Sequence, residues 1–156
     1  MKIQYFTNVS NLEQLSKIIF LNFIELQNQK GIVYSHDDIR TLLASPLLIG
    51  WFLLDDSGKI IGYIVGKKMN LNDGRYVYFI EYFFIIPSYR NKGYGKKMML
   101  ICIKKIMELN ISYVMLITKK ISIADILYRK LGFVDDTIIK ITNDDYEVLT
   151  YYTNKI

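Results

Sequence analysis

Two glycines one residue apart, Gly93 and Gly95, stand among four cations, Arg90, Lys92, Lys96 and Lys97, directly after an apolar run over 76–87. Glycine permits positive φ and lets the backbone approach a ligand closely, because no Cβ intervenes. Two of them at the mouth of a helix can turn several successive N–H groups toward one point. Those groups have no partner inside the helix, and the helix dipole adds roughly half a positive charge at that end. The chemistry implied is the binding of a phosphate or pyrophosphate, with arginine and lysine completing the neutralisation. A tight strand-to-helix turn with solvated lysines would use the same spacing. The P-loop pattern G-x-x-x-x-G-K-S/T is absent, because Lys97 follows Lys96, and Met98 stands where a dinucleotide fingerprint needs its third glycine.

Glu81 interrupts the apolar run in mid-strand, where an exposed carboxylate is hard to explain. An apolar setting would raise its pKa toward the working pH; facing solvent or pairing with a cation is the competing reading. The single cysteine, Cys102, excludes an internal disulfide, and the single histidine, His36, excludes a His-rich metal site, so no metal is expected. Cys102 lies on the inward stripe of a helix and reads as a core thiol; His36 reads as a surface residue and Trp51 as core. The net charge of +5 is modest and its cations are locally grouped, which favours a small anionic ligand over a nucleic acid. Glu81 and Pro87 cut the apolar run short of the roughly 20 residues that a bilayer span needs, so no membrane segment is expected. The opening MKIQYFTNVS has no apolar signal region, and a cytoplasmic location is expected.

The elements that must position these residues follow from periodicity. At 156 residues and 51% hydrophobic the chain can bury one core, so a single domain over 1–156 is expected. Residues 2–6 alternate as a strand, and Ser10 with Glu13 offers a capping box for a helix running through Leu12, Leu15, Ile19, Phe23 and Leu26 to about Gln29, broken by Gly31. Ser35 with Asp38 opens a shorter helix through Ile39, Leu42 and Leu43, ended by Pro46. Strands over 47–54, 59–69 and 75–86, joined by turns at 55–58 and 70–74, predict an antiparallel meander. A helix from about Gly95 to Leu109 follows, with Met99, Cys102, Ile103 and Ile106 inward. Then come a strand at 112–117, a helix at about 122–131 capped by Gly132, and a closing hairpin with strands near 134–142 and 146–153. The helix joining strands 75–86 and 112–117 places those two strands parallel. The fold class is therefore α/β (or α+β): a mixed, mostly antiparallel sheet of about seven strands flanked by about four helices.

Two segments together resemble one family. Arg90-Asn-Lys-Gly93-Tyr-Gly95 matches the R/Q-x-x-G-x-G/A motif of the GNAT N-acetyltransferase superfamily, with its preceding apolar strand and Pro87. The segment from Ala124 through Leu127, Tyr128 and Gly132 to Phe133 is similar to the family's A-x-x-L-Y-x-x-x-G-F block, in the family's order and separation. The order of elements agrees with the GNAT fold across essentially the whole chain. The resemblance implies an acetyl-CoA co-substrate whose pyrophosphate rests on backbone N–H groups of Asn91, Lys92, Gly93, Tyr94, Gly95 and Lys96, with Arg90 beside them. Its pantetheine arm would pair with the main chain of Phe83, Phe84 and Ile85 as an added strand would.

The resemblance also assigns roles. Glu81 lies at the strand position, six residues before the proline, where many family members carry a catalytic glutamate, and would be the general base. Tyr128 matches the family tyrosine near the coenzyme sulfur and would be the general acid; packing at a helix end is its competing reading. A backbone N–H near Ile85 would stabilise the oxyanion. One departure stands out: Ile121 occupies the place of an asparagine that contacts the coenzyme in many relatives, and Ser122 could substitute through its hydroxyl or simply cap the next helix. The implied activity is transfer of acetyl from acetyl-CoA to a primary amine, by direct attack in a ternary complex. A GNAT-fold protein that binds coenzyme A without turnover is the alternative. The acceptor, a small-molecule or protein amine, has no recognisable code; Tyr5, Tyr34, Tyr63, Tyr76, Tyr78 and Tyr82 are candidates to line its groove, and the Asn143-Asp-Asp turn could attract a cation. Oligomeric state is left open, a homodimer included.

Overall fold

The structure is a computed structural model that describes residues 1–23 and 35–154. Its elements run β1 (Lys2–Phe6), α1 (Leu12–Asn22), α2 (His36–Leu43), β2 (Leu48–Leu54), β3 (Ile60–Asn70), β4 (Tyr76–Ile85), a 3₁₀ turn (Pro87–Tyr89), α3 (Tyr94–Glu108), β5 (Tyr113–Lys119), α4 (Ile123–Leu131), β6 (Val134–Asp135) and β7 (Tyr146–Tyr152). The seven strands form one sheet in the order β1-β2-β3-β4-β5-β7-β6. Every neighbouring pair is antiparallel except β4 and β5, the two strands that α3 connects. No helix among the described residues is long and apolar enough to cross a membrane.

Each face of the sheet has its own core. On one face α1 and α2 cover Leu48, Tyr63, Val65 and Tyr82 with Leu15, Ile19, Ile39, Leu42 and Leu43. On the other, α3 and α4 bring Met98, Met99, Cys102, Ile106 and Tyr128 against Trp51, Ile64, Tyr78, Ile80, Ile85 and Val114. Ile19, Ile39, Met99 and Ile106 are fully buried, each adding about 1.5–3 kcal/mol through area removed from water.

One irregularity in this sheet governs the site. The β3–β4 register runs Val65↔Tyr82 and then Gly66↔Ile80, so Glu81 is an extra residue without a partner: a β-bulge. Side chains alternate along a strand, and a one-residue insertion exchanges the faces. Tyr78 and Ile80 accordingly point to the α3 core, whereas Tyr82 and Phe84, two and four residues further, point to the α1–α2 core. Glu81 absorbs the exchange and belongs to neither core. Gly66 lies opposite, where an added Cβ would stand 2.1 Å from the carbonyl oxygen of Phe79. Past the bulge β4 also leaves β5: their parallel pairing is confined to Val77–Phe79 against Tyr113–Met115.

Three expectations are corrected locally. Asn11, and not Ser10, caps α1, its side chain accepting from the Gln14 N–H; the expected continuation through Leu26 and Gln29 to Gly31 lies outside the described residues. The strand expected over 134–142 is two residues long, because Asp136 turns inward and accepts from the N–H groups of Ile138 and Ile139, the hydroxyl of Thr150 and the guanidinium of Arg75. His36 does not project freely: its ring packs 5.2 Å from that of Phe20, and its Nε2 is buried without a partner among the described residues. Ser35 and Ser122 cap α2 and α4 as expected.

Candidate active site

A groove of about 610 Å³ lies where the opened end of β4 meets the start of α3 and the flank of α4. Its walls include Phe83, Phe84 and Ile85 from β4, Arg90, Asn91, Gly93, Tyr94, Gly95 and Lys96 from the loop and helix start, and Ile123, Leu127 and Tyr128 from α4. Asn91 (φ 61°) and Gly93 (φ 85°) both adopt left-handed backbone, and Gly93 is the N-cap of α3 without any capping side chain. The N–H groups of the first helical turn are thus left for an outside acceptor. Gly95 brings the helix close to the sheet: a Cβ there would meet Phe83 Cζ at 3.3 Å and Ile85 Cδ1 at 3.5 Å. Arg90 braces the loop, donating from Nε to the Ile85 carbonyl at 2.7 Å with its guanidinium 4.9 Å from the Phe84 ring centre.

The β4 backbone contributes a polar edge to this groove. The Ile86 N–H donates to the Ile61 carbonyl on the β3 side. Alternation along the strand turns the N–H groups of Phe83 and Ile85 the other way, toward the gap that β5 has vacated. One side chain expected at the coenzyme, that of Ser122, is engaged elsewhere. Ser122 accepts from the Asp125 N–H and donates to the Lys119 carbonyl, which makes it a helix cap outside the groove walls. The Lys92 side chain turns to Tyr89, its ammonium 5.4 Å from the ring centre, while its backbone, the part expected at the coenzyme, lies between Asn91 and Gly93 of the groove wall. Ile121 is 93% exposed with φ 55°, its N–H held by the Asp125 carboxylate.

Tyr128 is buried at the floor of the groove, with ring centres 6.2 Å from Phe83 and 5.6 Å from Phe133. The glycine at 132 (φ 110°) ends α4 and allows Phe133 to fold back, its N–H donating to the Tyr128 carbonyl. Burial pushes the Tyr128 phenol above its ordinary pKa, so it is a neutral O–H near neutral pH. No hydrogen bond to that hydroxyl is made by the described residues.

Glu81 opens into a second cavity, of about 790 Å³, on the α2 side of the same sheet opening. Although solvent reaches it, protein surrounds the carboxylate: desolvation raises its pKa above the usual glutamate range, Asp38 adds to the rise and Lys67 opposes it. Glu81 forms no hydrogen bond or ion pair with the described residues. Of the candidate tyrosines, Tyr82 lines this cavity; Tyr63 and Tyr78 are buried in the two cores, Tyr78 donating to the Ile49 carbonyl, and Tyr34 lies outside the described residues. The sequence reading missed Asp38, Lys67 and Lys140, which also line it. Cys102 is fully buried in the α3 core, where burial raises its thiol pKa.

With this geometry in view, the comparisons with known proteins are specific. The model of the acetyltransferase (GNAT) family matches residues 12–133, and the chain belongs to that family. Comparison with curated protein sequences gives no match. Among solved structures, Arabidopsis thaliana NAA60 in complex with acetyl-CoA is 16% identical, covering 99% of this chain and 100% of its own, with a TM-score of 0.69. The ribosomal-protein-S18-alanine N-acetyltransferase from Escherichia coli is 15% identical over 99% of this chain and 96% of its own, TM-score 0.69. A GNAT-family acetyltransferase from Staphylococcus aureus is 21% identical over 97% of this chain and 99% of its own, TM-score 0.70. At these identities the likeness is one of fold.

Proposed function

We propose that this protein is an N-acetyltransferase that uses acetyl-CoA to acetylate a primary amine by direct attack in a ternary complex. The observation that carries the reading is the opening of the sheet at the Glu81 bulge. Among the described residues it places an unpaired carboxylate in one cavity and an unpaired backbone edge, beside an uncapped helix start, in the adjoining groove. The groove's chemistry fits the coenzyme: first-turn N–H groups of α3 and the lysine at 96 for the diphosphate, and the outward N–H groups of Phe83 and Ile85 for the amide-bearing arm.

Bound there, the acetyl thioester supplies an electrophilic carbonyl and a thiolate leaving group. Glu81 takes a proton from the neutral amine as it attacks, and its raised pKa makes it a stronger base than a solvated glutamate. A new C–N bond forms as the C–S bond breaks. A β4 N–H near Ile85 donates to the oxygen that gains charge in between. The Tyr128 hydroxyl, uncommitted among the described residues, gives its proton to the departing sulfur. The acquired proton on Glu81 leaves to solvent through the open cavity, and Tyr128 is reprotonated.

NAA60 and the Escherichia coli enzyme act as models for amine acetylation only through the shared fold, so the test is direct. Free thiol release from acetyl-CoA, measured with a panel of primary amines, should be detectable for the wild type and reduced about 10²- to 10⁴-fold by Glu81→Gln. Acetyl-CoA binding should be unchanged by that substitution. Binding without thiol release for any amine would establish the alternative, a coenzyme-binding protein without turnover; Ile121, standing out in solvent, is the feature that favours it.

A further inference from the structure

The cavity at Glu81 has a charge pattern of its own. Its lining carries two carboxylates, Glu81 and Asp38, and two ammonium groups, Lys67 from β3 and Lys140 from the segment between β6 and β7. None of the four has an ion-pair partner among the described residues, although such partners are made nearby: Arg40 pairs with Asp37 at 2.8 Å and with Glu13 at 2.9 Å, leaving Asp38 out. The remaining wall is largely neutral, with Thr41, Thr142 and the apolar Leu42 and Ile117. A dication entering this cavity would meet two ammonium groups as well as two carboxylates. A simple alkylamine would leave both lysines without a partner. An amine that also carries an anion answers both signs of charge at once, and charge-assisted hydrogen bonds are the strong ones.

We infer that the acceptor is a primary amine bearing an anionic group, carboxylate or phosphate, with the nitrogen placed at Glu81 and the anion held by Lys67 and Lys140. This deepens the acetyltransferase reading and rests on it. Lys67 does two things in this arrangement. Before the acceptor binds it stabilises the charged form of Glu81; once the acceptor's anion has engaged Lys67, that stabilisation is withdrawn and Glu81 becomes the stronger base. The anion thus selects the acceptor and prepares the base that deprotonates it.

The test compares matched amines: β-alanine and a peptide with an acidic second residue for carboxylates, phosphoethanolamine for phosphate, propylamine and ethanolamine as neutral controls, and 1,3-diaminopropane as the dication. Thiol release should show kcat/KM roughly 10- to 100-fold higher for at least one anionic arm than for its neutral partner, and lowest for the diamine. The leading arm identifies the source of the anion. Lys67→Met with Lys140→Met should flatten the ratio while acetyl-CoA affinity holds, and Lys67→Arg should preserve it. In Lys67→Met the acidic limb of kcat/KM should move to higher pH, a change that a merely structural lysine would not produce. Equal or better turnover of neutral amines or the diamine, or a preference that survives the double substitution, overturns the inference. Calorimetry of the same amines on coenzyme A-loaded protein separates it from the broader reading. Preferential binding of anionic amines without turnover upholds the pocket and defeats the enzyme, whereas indifferent binding defeats the pocket.

Discussion

If the bulge at Glu81 organises the site, the residue that permits it should be sensitive to a single methyl group. In Gly66→Ala the new Cβ would lie 2.1 Å from Phe79 O, 2.9 Å from Phe79 C and 3.0 Å from the Ile80 Cα, all of them backbone atoms that cannot rotate aside. Ordinary contact is about 3.4 Å or more, so β4 must withdraw by about 1 Å at the bulge. Overpacking of this kind costs about 1–3 kcal/mol. A displacement of about 1 Å in a catalytic group can cost about 10²-fold in rate. The control is Gly58→Ala, in the β2–β3 turn: φ is 85° and nothing lies within 4 Å of the added Cβ, so the cost is backbone strain alone, about 1–2 kcal/mol. Urea unfolding monitored by Trp51 fluorescence should place the two variants close together in stability. Thiol release per folded molecule should separate them, falling about 100-fold for Gly66→Ala and remaining at the wild-type value for Gly58→Ala. A folded Gly66→Ala protein with the wild-type rate would refute the dependence of Glu81 on the bulge.

Three further outcomes follow from the charged groups. As pH falls, kcat/KM should decline along a limb that lies above the ordinary glutamate value of about 4.3, because Glu81 must be ionised to accept a proton and its pKa is raised; in Glu81→Gln the limb should disappear. Asp136→Asn should destabilise the fold by about 3 kcal/mol in urea titrations, since it breaks a buried pair with Arg75, leaving that cation to Asp73 alone. The Arg75 guanidinium holds the Asp136 carboxyl well below the usual carboxylate range, so its contribution is complete above the ordinary value of about 4 and is lost as pH falls through the depressed one. The carboxyl of Glu147 behaves oppositely. Desolvation and the neighbouring Asp125 carboxylate push it up to about 7 against the opposing Arg129 guanidinium 2.8 Å away, so the folded state binds the extra proton and wild-type stability should decrease as pH rises toward 7, whereas Glu147→Gln should remove that slope in thermal melts.

The two readings of this chain, linear and spatial, part at residues whose roles depend on a distant strand. The start of α3 is a local feature: the spacing of Gly93 and Gly95 after an apolar strand suffices to place a strand-to-helix turn there, and the left-handed φ of Gly93 and the helix start without a capping side chain are what that spacing implied. The caps Ser35 and Ser122 are equally local, each bonding an N–H three residues on. The length of β6 is not, because Asp136 leaves the strand for Arg75, 61 residues away. Nor is the bulge. The alternation of Tyr78, Ile80, Tyr82 and Phe84 reads as one face of one strand until the register with β3 shows that Val65 and Gly66 skip a residue between them. The same skip explains why a carboxylate is tolerated inside an apolar run. Neither core receives it, and the edge beside it is the one β5 abandons. Asp38, Lys67 and Lys140 come from three separate elements, and each alone reads as a solvated charge on its helix, strand or loop. Only the opened sheet brings them into one cavity with Glu81, which is why the loop ahead of α3 can be read from consecutive residues whereas this charged lining appears only in the fold.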